Sequence, residues 1–423
     1  MQKILPILGI AIVLVSGCQK KEAVQTGGGA AKLTIWSFSD ELGSMIQKYY
    51  LPSHPNVSID FSITPSDQFP DKLDPVLASG QGTPDVFALE DAFVRKYIES
   101  GLLLDLTSIY EANKGNLLAY PVEVGSYNGK VYGLSWQATP GAMFYRRSLA
   151  KKYLGTDDPG VVQTYFMDMN KFLETAKTLK EKSSGACVVV SSRGDLLRPF
   201  LSARRYPWVV NGKFVIDPSV EQYLDISKTL YDYRWEGRVG QWSEGWFAGM
   251  QGKLLDENGK PVEVFSYFLP TWGLHYVLKT NAPDTSGDWA MVPGPAVYRW
   301  GGTWIGAWKD TKNSAAAKEL IAYLTTNDAF LERYALDSGD FVSNTAVVEK
   351  IKNNYSEPFL GGQDHYAVFA ELAKHVDGKL TQGTDQIVEG LLNAEVTAFV
   401  NGQKTKTHAL SDFKREVEIQ LKL

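Results

Sequence analysis

From Lys32 onward the chain alternates between two hydrophobic periods, and that alternation restricts its fold more than any other feature. Residues 33–37 form a short β-rich run, and 41–50 carry Leu42, Met45, Ile46 and Tyr49 at helical spacing. Val57, Ile59, Phe61 and Ile63 alternate with polar residues as in a strand. Residues 72–79 place Leu73, Val76 and Leu77 on one side of a helix, and 85–89 read as a third strand. A helix is predicted over 91–100, stopped by Gly101. Strands alternating with helices predict an α/β fold with a parallel sheet covered on both faces. Further strands are predicted at 130–135, 142–146, 186–191, 262–266, 275–278 and 303–308. Further helices are predicted at 169–182, 196–205, 220–234 and 315–324, with a mostly helical tail over 364–423. A length of 423 residues suits two or three domains, and no internal repeat is found.

Composition removes several classes of function. A net charge of -5 leaves no broad electrostatic footprint for nucleic acid. Two cysteines cannot build a disulfide framework or a multi-cysteine zinc site. His54, His275, His365, His375 and His408 form neither HxH nor HExxH, so no metal or cofactor is expected. The Gly27-Gly28-Gly29 run is followed by no GxxxxGK[ST] and is not a phosphate loop.

At the N-terminus, Lys3 precedes an apolar run over 4–15, broken only by Pro6 and Gly9. Such a run rises about 18 Å as a helix, too short for a bilayer core of about 30 Å. It reads as the apolar part of a signal peptide. The run ends Leu14-Val15-Ser16-Gly17-Cys18, which resembles the bacterial lipobox. That resemblance implies a signal peptide over 1–17, cleavage before Cys18 and lipidation of Cys18. Residues 18–31 then read as a flexible, glycine-rich tether. The remaining thiol, Cys187, reads as a small core hydrophobe in a strand.

Six short motifs stand in one order along 32–423. They are Thr34-Ile35-Trp36-Ser37 with Asp40-Glu41; Gly82-Thr83-Pro84-Asp85-Val86-Phe87; Ile98-Glu99-Ser100-Gly101-Leu102-Leu103; Gly129-Lys130-Val131-Tyr132-Gly133-Leu134 with Phe144-Tyr145; Thr271-Trp272-Gly273; and Gly301-Gly302-Thr303-Trp304 with Ala315 to Ile321. In this order, behind a lipobox, they resemble the extracellular solute-binding proteins of bacterial ABC transporters, in the maltose-binding-like, carbohydrate-binding branch. The sequence departs from that pattern at Trp136-Gln137, where many relatives carry a proline, and in its aromatic segment 235–272.

The resemblance implies two α/β lobes of the type II periplasmic-binding-protein kind, each built from discontinuous pieces. The chain would cross near 138–144 and return near 302–307. Lobe one would take 32–140 plus 302–343, and lobe two 141–301 plus 344–423. The implied function is that of a monomeric, lipid-anchored receptor in the cell envelope, handing a carbohydrate to a membrane permease. A cleft that closes on its ligand does so by making contacts to both lobes only when closed.

Sugars fix the chemistry such a cleft needs. Hydroxyls pair with carboxylates, amides and guanidinium groups, and the C–H faces of the ring pack on aromatic plates. Ligands of open α/β sheets bind beyond the carboxyl ends of strands. Asp40 and Glu41 follow the first strand, Glu90 and Asp91 the third, and Arg193 and Asp195 the strand ending at Ser191; Trp136 and Tyr145 flank the first crossing. Asp40 and Asp91 also suit helix N-caps, and Tyr145 suits the core of a crossing strand. Nine of the 11 tryptophans lie between Trp208 and Trp308. Of these, Trp242, Trp246, Trp272 and Trp304 are the candidate ligand plates, with Trp235 and Trp289 as packing residues. An alternative with the same fold is a cationic ligand such as a polyamine, held by these acids and by cation–π contact. A glycoside hydrolase needs only two carboxylates and is the enzymatic alternative.

Overall fold

The computed structural model describes residues 31–423. Cys18, the apolar run before it and all but the last residue of the expected tether lie outside the described residues.

Eight strands build two four-stranded sheets: β1 (Ala31–Ser37), β2 (Val57–Ile63), β3 (Val86–Glu90), β4 (Gly141–Arg146), β5 (Cys187–Val190), β6 (Glu263–Pro270), β7 (Trp289–Val292) and β8 (Thr303–Ala307). The first sheet has the order β8-β3-β1-β2 and the second β7-β4-β6-β5. In the first, β1 runs parallel to β2 and β3, and β8 returns antiparallel, with Thr303 opposite Glu90. In the second, β6 is parallel to β5 and antiparallel to β4, and β7 is antiparallel to β4. Burial follows strand position. Val86 to Leu89 of the inner strand β3 are all buried, whereas the edge strand β2 is nowhere fully buried. β8 joins the sheet of β1–β3 only after all four strands of the other sheet have formed, so the first sheet is built from two separate stretches of chain.

Helices close the faces of both sheets. Helix Ser314–Thr326 packs on β1 and β8, and Met169–Lys182 on β5. Of the tail, His365–Ala373 lies against β4 and β7, with Phe369 and Phe144 rings 6.4 Å apart. Asp385–Val400 packs on Pro218–Asp232 and on the final helix Lys406–Leu421. Cys187 is a buried free thiol whose pKa burial raises to about 12, which suits packing and not nucleophilic attack.

Three segments bridge the lobes side by side. Leu134 pairs with Ile305, Gln137 with Val342 and Pro140 with Arg299. Gly141 opens β4 at this junction because the Tyr298 ring occupies its side-chain position; a Cβ there would lie 2.0 Å from the ring.

Some local expectations fail for identifiable reasons. Residues 275–278 are not a strand but part of the π-helical turn Gly273–Leu278, in which Leu274, Val277 and Leu278 are buried at helical spacing. The helix predicted over 91–100 forms only over Val94–Ile98; residues 91–93 are a turn in which the Phe93 N–H donates to the Glu90 carbonyl. Only Lys130–Val131 of 130–135 is strand, paired with Ser126–Tyr127. β7 carries no alternation, since all four of its residues are buried, and so leaves no period-2 signal.

Candidate functional site in the interlobe cleft

The carboxyl ends of β1, β3 and β6 all meet one cleft between the lobes. Its volume is about 680 Å³, and it is lined by Phe38, Ser39, Asp40, Glu41, Ser66 and Glu90 on one side and by Trp242, Trp272, Tyr276 and Trp300 on the other. Gln137 and the Gly301-Gly302-Thr303 crossing form its floor. Acids after the strands of one lobe therefore face indoles of the other.

The indoles form a cluster. Trp242 and Trp272 are nearly parallel, with ring centres 6.2 Å apart and planes 11° apart. Trp300 stands edge-on to both, at 5.7 Å from Trp242 and 5.5 Å from Trp272. The Trp272 Nε1–H donates to the Trp300 carbonyl at 3.0 Å, which fixes its tilt. Gly301, in the left-handed region at φ 68°, allows this approach, since a Cβ there would lie 3.1 Å from Trp272 Nε1. Trp242 is itself left-handed at φ 68° and remains 47% exposed. A bulky residue in that conformation is uncommon, and it projects the indole out of its loop.

Behind Trp242 sits a buried brace. Asp195 Oδ1 accepts from Trp246 Nε1 and from Gln241 Nε2, both at 2.9 Å, so one carboxyl pins both sides of the loop carrying Trp242. Burial pushes the Asp195 carboxyl up to about 8 against its two hydrogen bonds.

On the acidic side, Asp40 precedes helix Glu41–Met45 without capping it, so its exposed carboxylate remains free for the cleft. Glu41 Oε1 accepts from Tyr334 Oη at 2.6 Å, and Tyr276 of the other lobe reaches it at 3.4 Å. Burial raises the Glu41 pKa, opposed chiefly by the Tyr334 hydrogen bond. Burial and the Glu41 charge push the neighbouring Asp340 well above the usual carboxylate range. Glu90 is raised to about 7 by burial and by the charge of Asp91. Asp91 caps no helix; its Oδ1 accepts from Arg299 at 2.6 Å.

The sequence-derived candidates thus separate. Asp40, Glu41, Glu90, Trp242 and Trp272 share the cleft wall. Asp195 and Trp246 lie beneath it as positioning residues, both buried. Trp136 is buried at the hinge side of Glu41. Tyr145 does not reach the cleft: it is a core residue of β4, and its hydroxyl donates to the Asp157 carbonyl. Trp304 also packs inward, its Nε1–H donating to the Pro121 carbonyl at 2.7 Å, because it points to the helix-covered face of β8. Arg193 is held by buried Glu236 at 2.9 Å and opens on a separate depression beside Tyr223 and Arg238. Trp300, Tyr276, Phe38 and Gln137 were not among the candidates. Trp300 had one readable signal, its position directly before the glycine pair of the return crossing. Among the described residues no three His, Cys, Asp or Glu side chains are grouped to hold a metal ion.

Two α/β lobes joined by three adjacent crossings, with a ligand-sized cleft at the strand ends, define a binding protein of the two-lobed periplasmic type. The model of the bacterial extracellular solute-binding protein family matches residues 48–358, and the chain belongs to that family, which is not an enzyme family. An arabinooligosaccharide-binding protein of Bacillus subtilis (strain 168) is 22% identical over 432 residues, covering 96% of each chain. Among solved structures, an extracellular solute-binding protein of family 1 superposes with a TM-score of 0.79 at 21% identity, covering 92% of this chain and 99% of that one. The galacto-N-biose/lacto-N-biose I-binding protein of a Bifidobacterium longum ABC transporter, in complex with lacto-N-biose, superposes at 0.72 with 18% identity, covering 93% and 97%. No helix among the described residues is long and apolar enough to cross a membrane.

Proposed function

We propose that this protein is the carbohydrate receptor of an ABC importer, closing its cleft on a saccharide and presenting it to a membrane permease without any covalent step. The observation that carries the reading is the placement of Trp242, Trp272 and Trp300 opposite Asp40, Glu41 and Glu90. Indoles suit the C–H faces of sugar rings, and the acids suit the hydroxyls. The saccharide ligands named for its relatives support the same reading. A polyamine would need acids that stay charged, and burial disfavours the charged forms of Glu41 and Glu90.

Lobe one comprises 32–140 plus 302–343 and lobe two 141–301 plus 344–423, with the three crossings as the hinge. The receptor acts as a monomer, tethered to the envelope through lipid on Cys18. Cys18→Ser then releases it from membranes; diacylglyceryl lipid on the variant by mass spectrometry contradicts the anchor. A thermal-shift screen tests the binding reading, because a ligand that binds only the folded state raises the melting midpoint. Oligosaccharides are expected to raise it and spermidine to leave it in place; the reverse pattern overturns the reading.

A further inference from the structure

The aromatic cleft does not end at Trp300. Glu90, Trp300 and Gly301 also border a second chamber of about 220 Å³ with an entirely different lining. Lobe one supplies Glu90 and Asp91, the return crossing supplies Arg299, and lobe two supplies Arg198, Arg204 and Glu389. No indole plate other than Trp300 reaches it among the lining residues.

Two ion pairs line this chamber. Arg198 forms a fork with Glu389, each contact 2.9 Å, and Arg299 pairs with Asp91 at 2.6 Å while donating to Thr381 at 2.6 Å. These pairs leave fixed donors and acceptors along the wall, beside Glu90, Asp377 and Asp385. Arg198 of lobe two and Glu90 of lobe one line the same chamber. Each feels the other's charge, yet they form no ion pair. A ligand hydroxyl can accept from a guanidinium and donate to a carboxylate in the same chamber. The wall also holds valences the protein does not satisfy. Arg204 is 7% exposed and lies over the Trp208 ring, its Nε donating to the Leu201 carbonyl; its Nη1 has no partner, and neither has Asp385 Oδ1. Both residues contribute to the chamber wall.

We infer that this chamber is a second sugar subsite, which takes an end ring of the saccharide while the preceding ring packs on Trp242, Trp272 and Trp300, so that the ligand must have at least two rings. The inference rests on the carbohydrate reading above and adds to it the length of the ligand and the residues that select that length. A monosaccharide fills only one of the two environments. A disaccharide reaches both, and through Arg198 and Glu90 its end ring joins the two lobes.

The test is calorimetric titration of the protein with arabinose, arabinobiose and arabinotriose, and with galactose and lacto-N-biose. At least one oligosaccharide is expected to bind tenfold or more tightly than its monosaccharide. Glu389→Gln keeps the shape of the fork and removes its charge, and Arg198→Met removes the guanidinium at similar length. Both variants are expected to bring the oligosaccharide-to-monosaccharide affinity ratio down to within about threefold of unity, with melting curves confirming that they fold. A ratio that stays at its wild-type value in both variants, or a wild type that binds monosaccharides as tightly as oligosaccharides, overturns the subsite and leaves the carbohydrate reading standing. Failure of all five sugars and of a wider saccharide screen to bind overturns both.

Discussion

Asp195 illustrates how a residue can serve a binding site without touching it. Its Oδ1 holds Gln241 and Trp246, its Oδ2 has no partner, and burial raises its pKa from 3.8 to about 8. The folded chain therefore keeps this proton over a range in which the unfolded chain has released it. Stability contributed by the neutral acid is present below about pH 4 and falls as pH rises toward about 8. Asp195→Asn keeps the Oδ1 acceptor and removes the titration. We expect the variant to melt above wild type at pH 8, by at least ~2 °C, and close to it at pH 4. An equal difference at both pH values, read by circular dichroism, contradicts this. The sequence placed Asp195 correctly after a strand, but a strand-end acid looks the same whether it faces ligand or braces a loop. The same ambiguity covers the tryptophans. Trp246 and Trp304 are buried, while Trp242 and Trp300 line the cleft, and composition cannot separate them because the sorting is done by tertiary neighbours.

At the scale of elements, the strands were legible wherever a period survived. β2 alternates because it is a half-covered edge, and β1 and β3 carry β-rich apolar runs; the parallel core of the first lobe followed from them. β7, with four buried residues, and the Gly273–Leu278 turn, with aromatic and β-branched residues in a helical turn, were not legible. The crossings depend on close approach more than on propensity. Tyr298 packs over Gly141, and its hydroxyl donates to the Ala142 carbonyl at 2.9 Å with the Leu269 carbonyl also in reach at 3.2 Å, which ties the return crossing to the start of β4 and the end of β6. Gly141→Ala sets a Cβ 2.0 Å from that ring, so strand or ring must move. Overpacking of this kind costs about 1–3 kcal/mol, and chemical denaturation should report a loss of that size. A variant as stable as wild type would mean that Tyr298 can swing away and does not hold the junction.

At the scale of the whole molecule, two lobes supply different halves of one recognition surface. Lobe one offers acids after β1 and β3, lobe two offers indoles after β6 and from the braced loop, and the charged chamber lies beyond Trp300. A ligand that contacts both lobes stabilises the closed form by the difference between its closed and open contacts. Trp272 is the residue on which this claim converges: it parallels Trp242, donates to the Trp300 carbonyl and sits at the turn after β6. The most direct measurement is calorimetric titration of wild type and Trp272→Ala with the tightest saccharide found by thermal shift. Loss of a central aromatic plate typically costs about 2 kcal/mol or more. The variant should therefore bind at least tenfold more weakly while keeping its circular dichroism spectrum. Equal affinity in wild type and a folded Trp272→Ala would contradict the account.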